Sequence, residues 1–217
     1  MKSTLLIFIS IYCSSLGFSQ SSPRFRHGFD FSRFKELDST SYVLIPTEWK
    51  NNGKIANIKV EGSGDTKNIL FYNTITDDYK MLFSDSIQII KTYKGHLLNK
   101  RYPSDTSSRP PDKLLIYYTV INHDYNGDNT LDTDDPRYLY CSRFDGLELM
   151  QLTPRTYNLV DYKYISTSNI ILAVLIKDEN EDRKFDHNDS EVLYKIDLND
   201  LSASKVIAVM NIRKDGK

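Results

Sequence analysis

Residues 114–146 fall onto residues 168–200 without a gap when the chain is slid along itself by 54 positions. Asp124, Asn126, Asp128, Asp132 and Asp135 then meet Asp178, Asn180, Asp182, Asp186 and Asp189. Leu131 meets Phe185, Leu139 meets Leu193 and Tyr140 meets Tyr194. Such a repeat means that one local structure is built twice and that neighbouring copies bury apolar faces a single copy would leave in water. Both copies read apolar strand, acidic loop, apolar strand, polar turn and shorter strand. A fainter third copy over 55–84 carries the strand and turn residues but no acidic loop.

From Tyr42 onward, short runs rich in Ile, Val, Tyr, Phe and Thr alternate with Gly, Asn, Asp and Ser, the pattern of strands and turns. It predicts strands at 42–47, 55–60, 68–75, 79–84, 87–94, 114–122, 137–144, 148–152, 158–165, 169–177, 191–198 and 205–210. Residues 101–113, rich in Pro, Ser and charge, are expected to form a loop. The fold class is therefore all-β, built from about three repeated antiparallel four-stranded units with the acidic loops between strands. The segment YLYCSRFDGLELMQLTP, with its weaker repeat at 193–209, resembles the third and fourth strands of blades in TolB-like β-propellers. That resemblance implies blade-like units. About three units are fewer than the four to eight blades of a closed propeller, so an incomplete array of packed sheets and a β-sandwich both remain open.

The first loop runs Asp124-Tyr-Asn126-Gly-Asp128-Asn-Thr130-Leu-Asp132-Thr-Asp-Asp135, and the second Asp178-Glu-Asn180-Glu-Asp182-Arg-Lys184-Phe-Asp186-His-Asn-Asp189. Both follow D-x-N-x-D-x-x-hydrophobic-D-x-x-D. This resembles the calcium loop of EF-hand and dockerin modules, with Asp in place of Glu at the last position. The first five positions also resemble the strand-to-strand calcium loops of integrin-type propeller repeats. The resemblance implies two calcium sites. Calcium takes six to eight oxygens, and a loop coiled round an ion points positions 1, 3 and 5 inward. The backbone carbonyl at position 7 (Thr130 or Lys184), position 9 (Asp132 or Asp186) and position 12 (Asp135 or Asp189) complete the shell. Leu131 and Phe185, at position 8, tie the loops to the core. Magnesium demands a tighter octahedron, and zinc favours His or Cys, which the ligand positions lack. Position 6 calls for a left-handed backbone, which Asn129 tolerates and Arg183 adopts at a cost of about 1–2 kcal/mol. The second site is accordingly expected to bind more weakly or to turn differently.

Acid is concentrated in these stretches. Residues 122–135 hold five acids and no Lys or Arg, and 178–189 hold six acids against Arg183 and Lys184. The mild basic excess elsewhere is dispersed, which argues against a nucleic-acid partner. Met1-Lys2, an apolar run from Leu5 to Tyr12 and small residues to Ser19 read as a signal peptide over 1–19, too short to span a bilayer. Ile11 and Tyr12 are not the small residues that precede a lipid-anchored Cys, so anchoring through Cys13 is not expected. Residues 20–40 form an N-terminal arm with room for a short helix over Ser32–Leu37, and 41–217 a single all-β domain. Once the leader is removed, Cys141 is the remaining cysteine, so no internal disulfide forms and bound metal is a candidate source of rigidity. None of the four histidines makes an HxH or HExxH spacing, and no G-x-S-x-G elbow is present. The expectation is a periplasmic or secreted, non-enzymatic calcium-binding β-protein with a structural or interaction role in the cell envelope, its partners calcium and an envelope protein or glycan. A glycan- or peptide-binding module is the alternative and a secreted hydrolase the third reading.

Overall fold

Strands dominate because β-branched and aromatic runs are interrupted every few residues by turn formers, leaving no stretch of helical period. The computed structural model describes residues 29–31, 34–38, 40–49, 53–55, 58–60, 65–84, 88–95 and 115–210. The expected leader with Cys13, the start of the arm and the 101–113 loop lie outside them. In chain order the strands are β1 (Phe29–Phe31), β2 (Lys35–Glu36), β3 (Tyr42–Trp49), β4 (Gly53–Ile55), β5 (Ile58–Val60), β6 (Thr66–Asn73), β7 (Tyr79–Met81) and β8 (Ile89–Gly95). They continue as β9 (Leu115–Ile121), β10 (Thr130–Leu131), β11 (Tyr138–Arg143), β12 (Met150–Gln151), β13 (Tyr157–Ile165), β14 (Ile170–Lys177), β15 (Ser190–Asp197) and β16 (Lys205–Met210). The described chain is all-β, without an α-helix, and every pairing is antiparallel except a short parallel one between β5 and β10.

The pairings group into three successive antiparallel meanders: β2-β3-β6-β7, β8-β9-β11-β12 and β13-β14-β15-β16. The first two join edge to edge through one pair, Thr66 opposite Ile90, which makes them a single sheet. β1 lines the same edge of β3 as β2, with Phe31 opposite Thr47 and Lys35 opposite Leu44. In each meander a long connection lies between the second and third strands. It carries the β4–β5 hairpin in the first, the loop at 124–135 in the second and the loop at 178–189 in the third.

Three expectations are corrected. The strand expected at 55–60 is not one strand: Ile55 ends β4 and Ile58–Val60 form β5, the two arms of a hairpin that belongs with β10 to a separate small sheet. The faint third copy over 55–84 is therefore not a unit by itself. The first meander starts at Lys35–Glu36, a strand too short and polar to carry a periodic signal. Within the helix allowed over 32–37, Lys35–Glu36 form β2 instead, because pairing with β3 supplies hydrogen bonds that a short helix would have to make alone.

Two hydrophobic clusters explain the stacking. Leu44, Ile69, Phe71, Ile90, Ile116, Tyr118, Val120, Tyr138 and Tyr140 belong to a cluster between the first and second meanders. Tyr117, Leu139, Cys141, Leu159, Ile171, Ala173, Leu175, Val192 and Ile196 belong to a second, between the second and third. Alternate residues of β9 and β11 thus point to opposite clusters, as the two-residue period of a strand requires. The middle meander is buried on both faces, which is why β9 reads as a continuous apolar run rather than an alternating one. Each large side chain taken fully into these clusters contributes about 1.5–3 kcal/mol.

Three buried tyrosines keep their hydroxyls bonded. Tyr118 pairs with Ser142 Oγ at 2.8 Å, Tyr138 donates to the Arg155 carbonyl at 3.0 Å, and Tyr140 donates to Gln151 Oε1 at 2.8 Å. Burial raises the phenol pKa values of Tyr117, Tyr118 and Tyr138 and pushes the Cys141 thiol up to about 12, so that thiol is packing material rather than a nucleophile.

Candidate metal centres

An Asp or Asn side chain that bonds the backbone N–H two residues on makes a tight turn, and a series of them winds a loop. Asn126 Oδ1 accepts from the N–H of Asp128 at 2.9 Å, Asp128 Oδ1 from Thr130 at 2.7 Å, and Asp132 Oδ1 from Asp134 at 2.8 Å. The position-1 acid spans the coil, with Asp124 Oδ2 accepting from the N–H of Asn129 at 3.0 Å. The last acid closes it. Asp135 Oδ1 takes the N–H of Tyr125 at 2.8 Å and Oδ2 that of Asp132 at 3.2 Å.

The second loop repeats these contacts. Asn180 Oδ1 accepts from Asp182 at 3.1 Å, Asp182 Oδ1 from Lys184 at 2.9 Å, Asp186 Oδ1 from Asn188 at 2.7 Å and Asp178 Oδ2 from Arg183 at 3.1 Å. Asp189 holds the N–H groups of Glu179 and Asp186 at 3.2 and 3.0 Å. The left-handed residue expected at position 6 occurs in both, with φ of 63° at Asn129 and 64° at Arg183. Position 4 is left-handed too, at Gly127 (79°) and Glu181 (57°), a requirement the ligand spacing did not announce.

Burial agrees between the loops at positions 5, 9 and 12 and differs at positions 1, 3 and 7. Asp135 and Asp189 are buried, while Asp128 and Asp182 are exposed at the outer turn. Asp124, Asn126, Thr130, Asp132 and Asp186 are half-buried, and Asn180 and Lys184 are exposed. Among the described residues, no three His, Cys, Asp or Glu side chains converge into a preformed cage. The carboxylates are instead held by the N–H groups of their own loop, and the rest of the proposed donor set is Asn and backbone carbonyl. Burial raises the Asp135 carboxyl above its ordinary value; the N–H groups of Tyr125 and Asp132 pull it down, and the charge of Asp124 pushes it up again.

The loops differ at position 1. Asp124 Oδ1 accepts from the N–H of Gly127 at 2.9 Å. Asp178 is only 8% exposed, and its Oδ1 has no hydrogen-bond partner among the described residues. A buried carboxylate oxygen left this way is costly, about 1–3 kcal/mol or more for a charged group, and a bound cation or a water would satisfy it. Its other oxygen, Oδ2, accepts from the hydroxyl of Tyr125 at 2.9 Å, so a side chain of the first loop reaches into the second. The Tyr125 ring also lies 5.2 Å from that of Phe185. Ligand spacing gives Tyr125 no role; its one signal in the sequence is that it breaks the repeat, standing where the second copy has Glu179. The first loop has a further brace, since Thr130 and Leu131 pair in parallel with Lys59 and Val60 of β5.

Fold and loops together define an all-β chain of antiparallel sheets carrying two matched acidic loops. Comparison with protein-family models, with curated proteins and with solved structures found no match.

Proposed function

We propose that the protein is an exported calcium-binding β-protein, one ion per loop, with a structural or interaction role in the cell envelope. The observation that carries this reading is the orphaned, buried Oδ1 of Asp178 at the first ligand position. The donor set fits a hard cation: Asp124, Asn126, Asp128, Asp132 and Asp135 with the Thr130 carbonyl, and Asp178, Asn180, Asp182, Asp186 and Asp189 with the Lys184 carbonyl. When bound, calcium would offset the repulsion among carboxylates gathered on one turn and stiffen the long connections of the second and third meanders. The three meanders are read as blade-like units in an incomplete array, supported by the two clusters on either face of the middle one. Export is inferred from the leader-like residues 1–19.

Thermal melting followed by circular dichroism tests the metal reading. Millimolar calcium should raise the melting temperature above that in EDTA, and millimolar magnesium should do so less. Coincident curves in calcium and EDTA would reject it.

A peptide-binding role has one observation in its favour. β16 is the outer strand of its sheet, with Val206, Ile207, Val209 and Met210 between 38% and 70% exposed. An extended peptide could add to that edge. Weak, saturable binding of extended apolar peptides that Val209→Lys abolishes would support it.

A further inference from the structure

The three long connections touch one another in chain order: the hairpin of the first meander pairs with the first loop through β5 and β10, and the first loop reaches the second through Tyr125. We propose that the two loops form one cooperative pair, in which Tyr125 of the first loop positions Asp178 to receive the second ion; this rests on the calcium reading.

Tyr125 is tied to both sites by different atoms. Its backbone N–H is held by Asp135, the closing acid of the first loop, at 2.8 Å, and its hydroxyl by Asp178, the opening acid of the second, at 2.9 Å. Its ring rests against Phe185, the position-8 residue of the second loop. Asp124 and Asp135 would hold an ion in the first loop, and holding it would fix the backbone on which Tyr125 stands. The hydroxyl already occupies Asp178 Oδ2 together with the N–H of Arg183, leaving Oδ1 for the second ion, and a fixed backbone would hold it there. Ordering done by the first ion need not be repeated by the second, which is the physical content of positive coupling. Charge opposes it only weakly. The first loop, with five acids, and the second, with six acids against Arg183 and Lys184, stay net negative after each takes a divalent ion, and salt screens the remaining repulsion. Coupling between sites is commonly worth 5- to 150-fold in affinity and is reciprocal; a factor on the order of tenfold is expected here.

Isothermal titration of the full chain with calcium chloride tests this. Asp128→Ala disables the first site and Asp182→Ala the second, each leaving Tyr125, Asp135 and Asp178 in place. Wild type should take two ions, and Asp128→Ala one, with second-site affinity lowered on the order of tenfold. Asp182→Ala should weaken the first site by the same factor, a check that needs no change at Tyr125. In a Tyr125→Phe background, which keeps the ring on Phe185 and removes only the hydroxyl, disabling one site should alter the other by less than about twofold. Two ions bound by wild type, with each single-site variant matching the corresponding wild-type affinity, would overturn the coupling and leave the calcium reading standing. Undiminished coupling in Tyr125→Phe would overturn the role of the hydroxyl. Absence of calcium binding by wild type would sink both.

Discussion

Asp178→Asn should have opposite consequences with and without calcium. The substitution keeps the size of the side chain. The amide oxygen can take the place of Oδ2 and accept from Tyr125 and from the N–H of Arg183, 2.9 and 3.1 Å away. The amide nitrogen takes the place of the orphaned Oδ1. Two charge-assisted hydrogen bonds become neutral ones, at a cost of about 1 kcal/mol each. Against that, a buried charge with an unpaired oxygen becomes a neutral group, which is cheaper to leave unpaired by about the same total. In EDTA the variant should therefore unfold within about 1 kcal/mol of wild type, a shift of roughly 4 °C or less for a domain this size. In calcium at 100 times the dissociation constant, each filled site adds about 2.7 kcal/mol. Loss of the second site should then lower the melting temperature by roughly 5–11 °C at 2–4 °C per kcal/mol, and by more if the first site weakens with it. Calorimetric melts of both proteins in EDTA and in calcium give the comparison. An equal loss in the two buffers would refute the reasoning, because Asp178 would then be serving the apo fold and not an ion.

Three other perturbations have signed outcomes. Gly146→Ala places a methyl 2.7 Å from the ring of the fully buried Phe71 at a residue with φ of +75°; backbone strain and overpacking together should cost about 2–5 kcal/mol, seen as a melting temperature lower by roughly 5–20 °C. Arg183→Gly removes a left-handed arginine (φ 64°) and one positive charge from the second loop; it should leave EDTA stability within about 1 kcal/mol and tighten calcium binding there, read by titration. The Asp135 carboxyl, raised above its ordinary value of 3.8 chiefly by burial, holds its proton more tightly folded than unfolded. The calcium-free protein should thus lose stability as pH rises from 3.8 through the raised value, while calcium affinity grows over the same window; Asp135→Asn should remove that part of both pH dependences, measured by melting and titration across pH 3.5–6.

The strands of the last meander were legible almost to the residue: 158–165, 169–177, 191–198 and 205–210 were expected, and Tyr157–Ile165, Ile170–Lys177, Ser190–Asp197 and Lys205–Met210 are found. Their apolar runs are long, and their turns are marked by polar residues. The winding of the two loops was legible for the same reason, since an Asp or Asn side chain bonding two residues ahead is a contact that neighbours in the chain settle between themselves. Even the left-handed Arg183 followed from its position in the motif. β2 was not legible, because two polar residues become a strand only by lying against β3, and the β4–β5 hairpin was misjudged because pairing across the chain, with β10, decides where it stands. Tertiary structure alone decided that Tyr125 meets Asp178, a contact between residues 53 positions apart. Local side-chain geometry shapes each turn, but only packing of the middle meander between its neighbours brings the two turns together, and no spacing rule within a single loop encodes that distance.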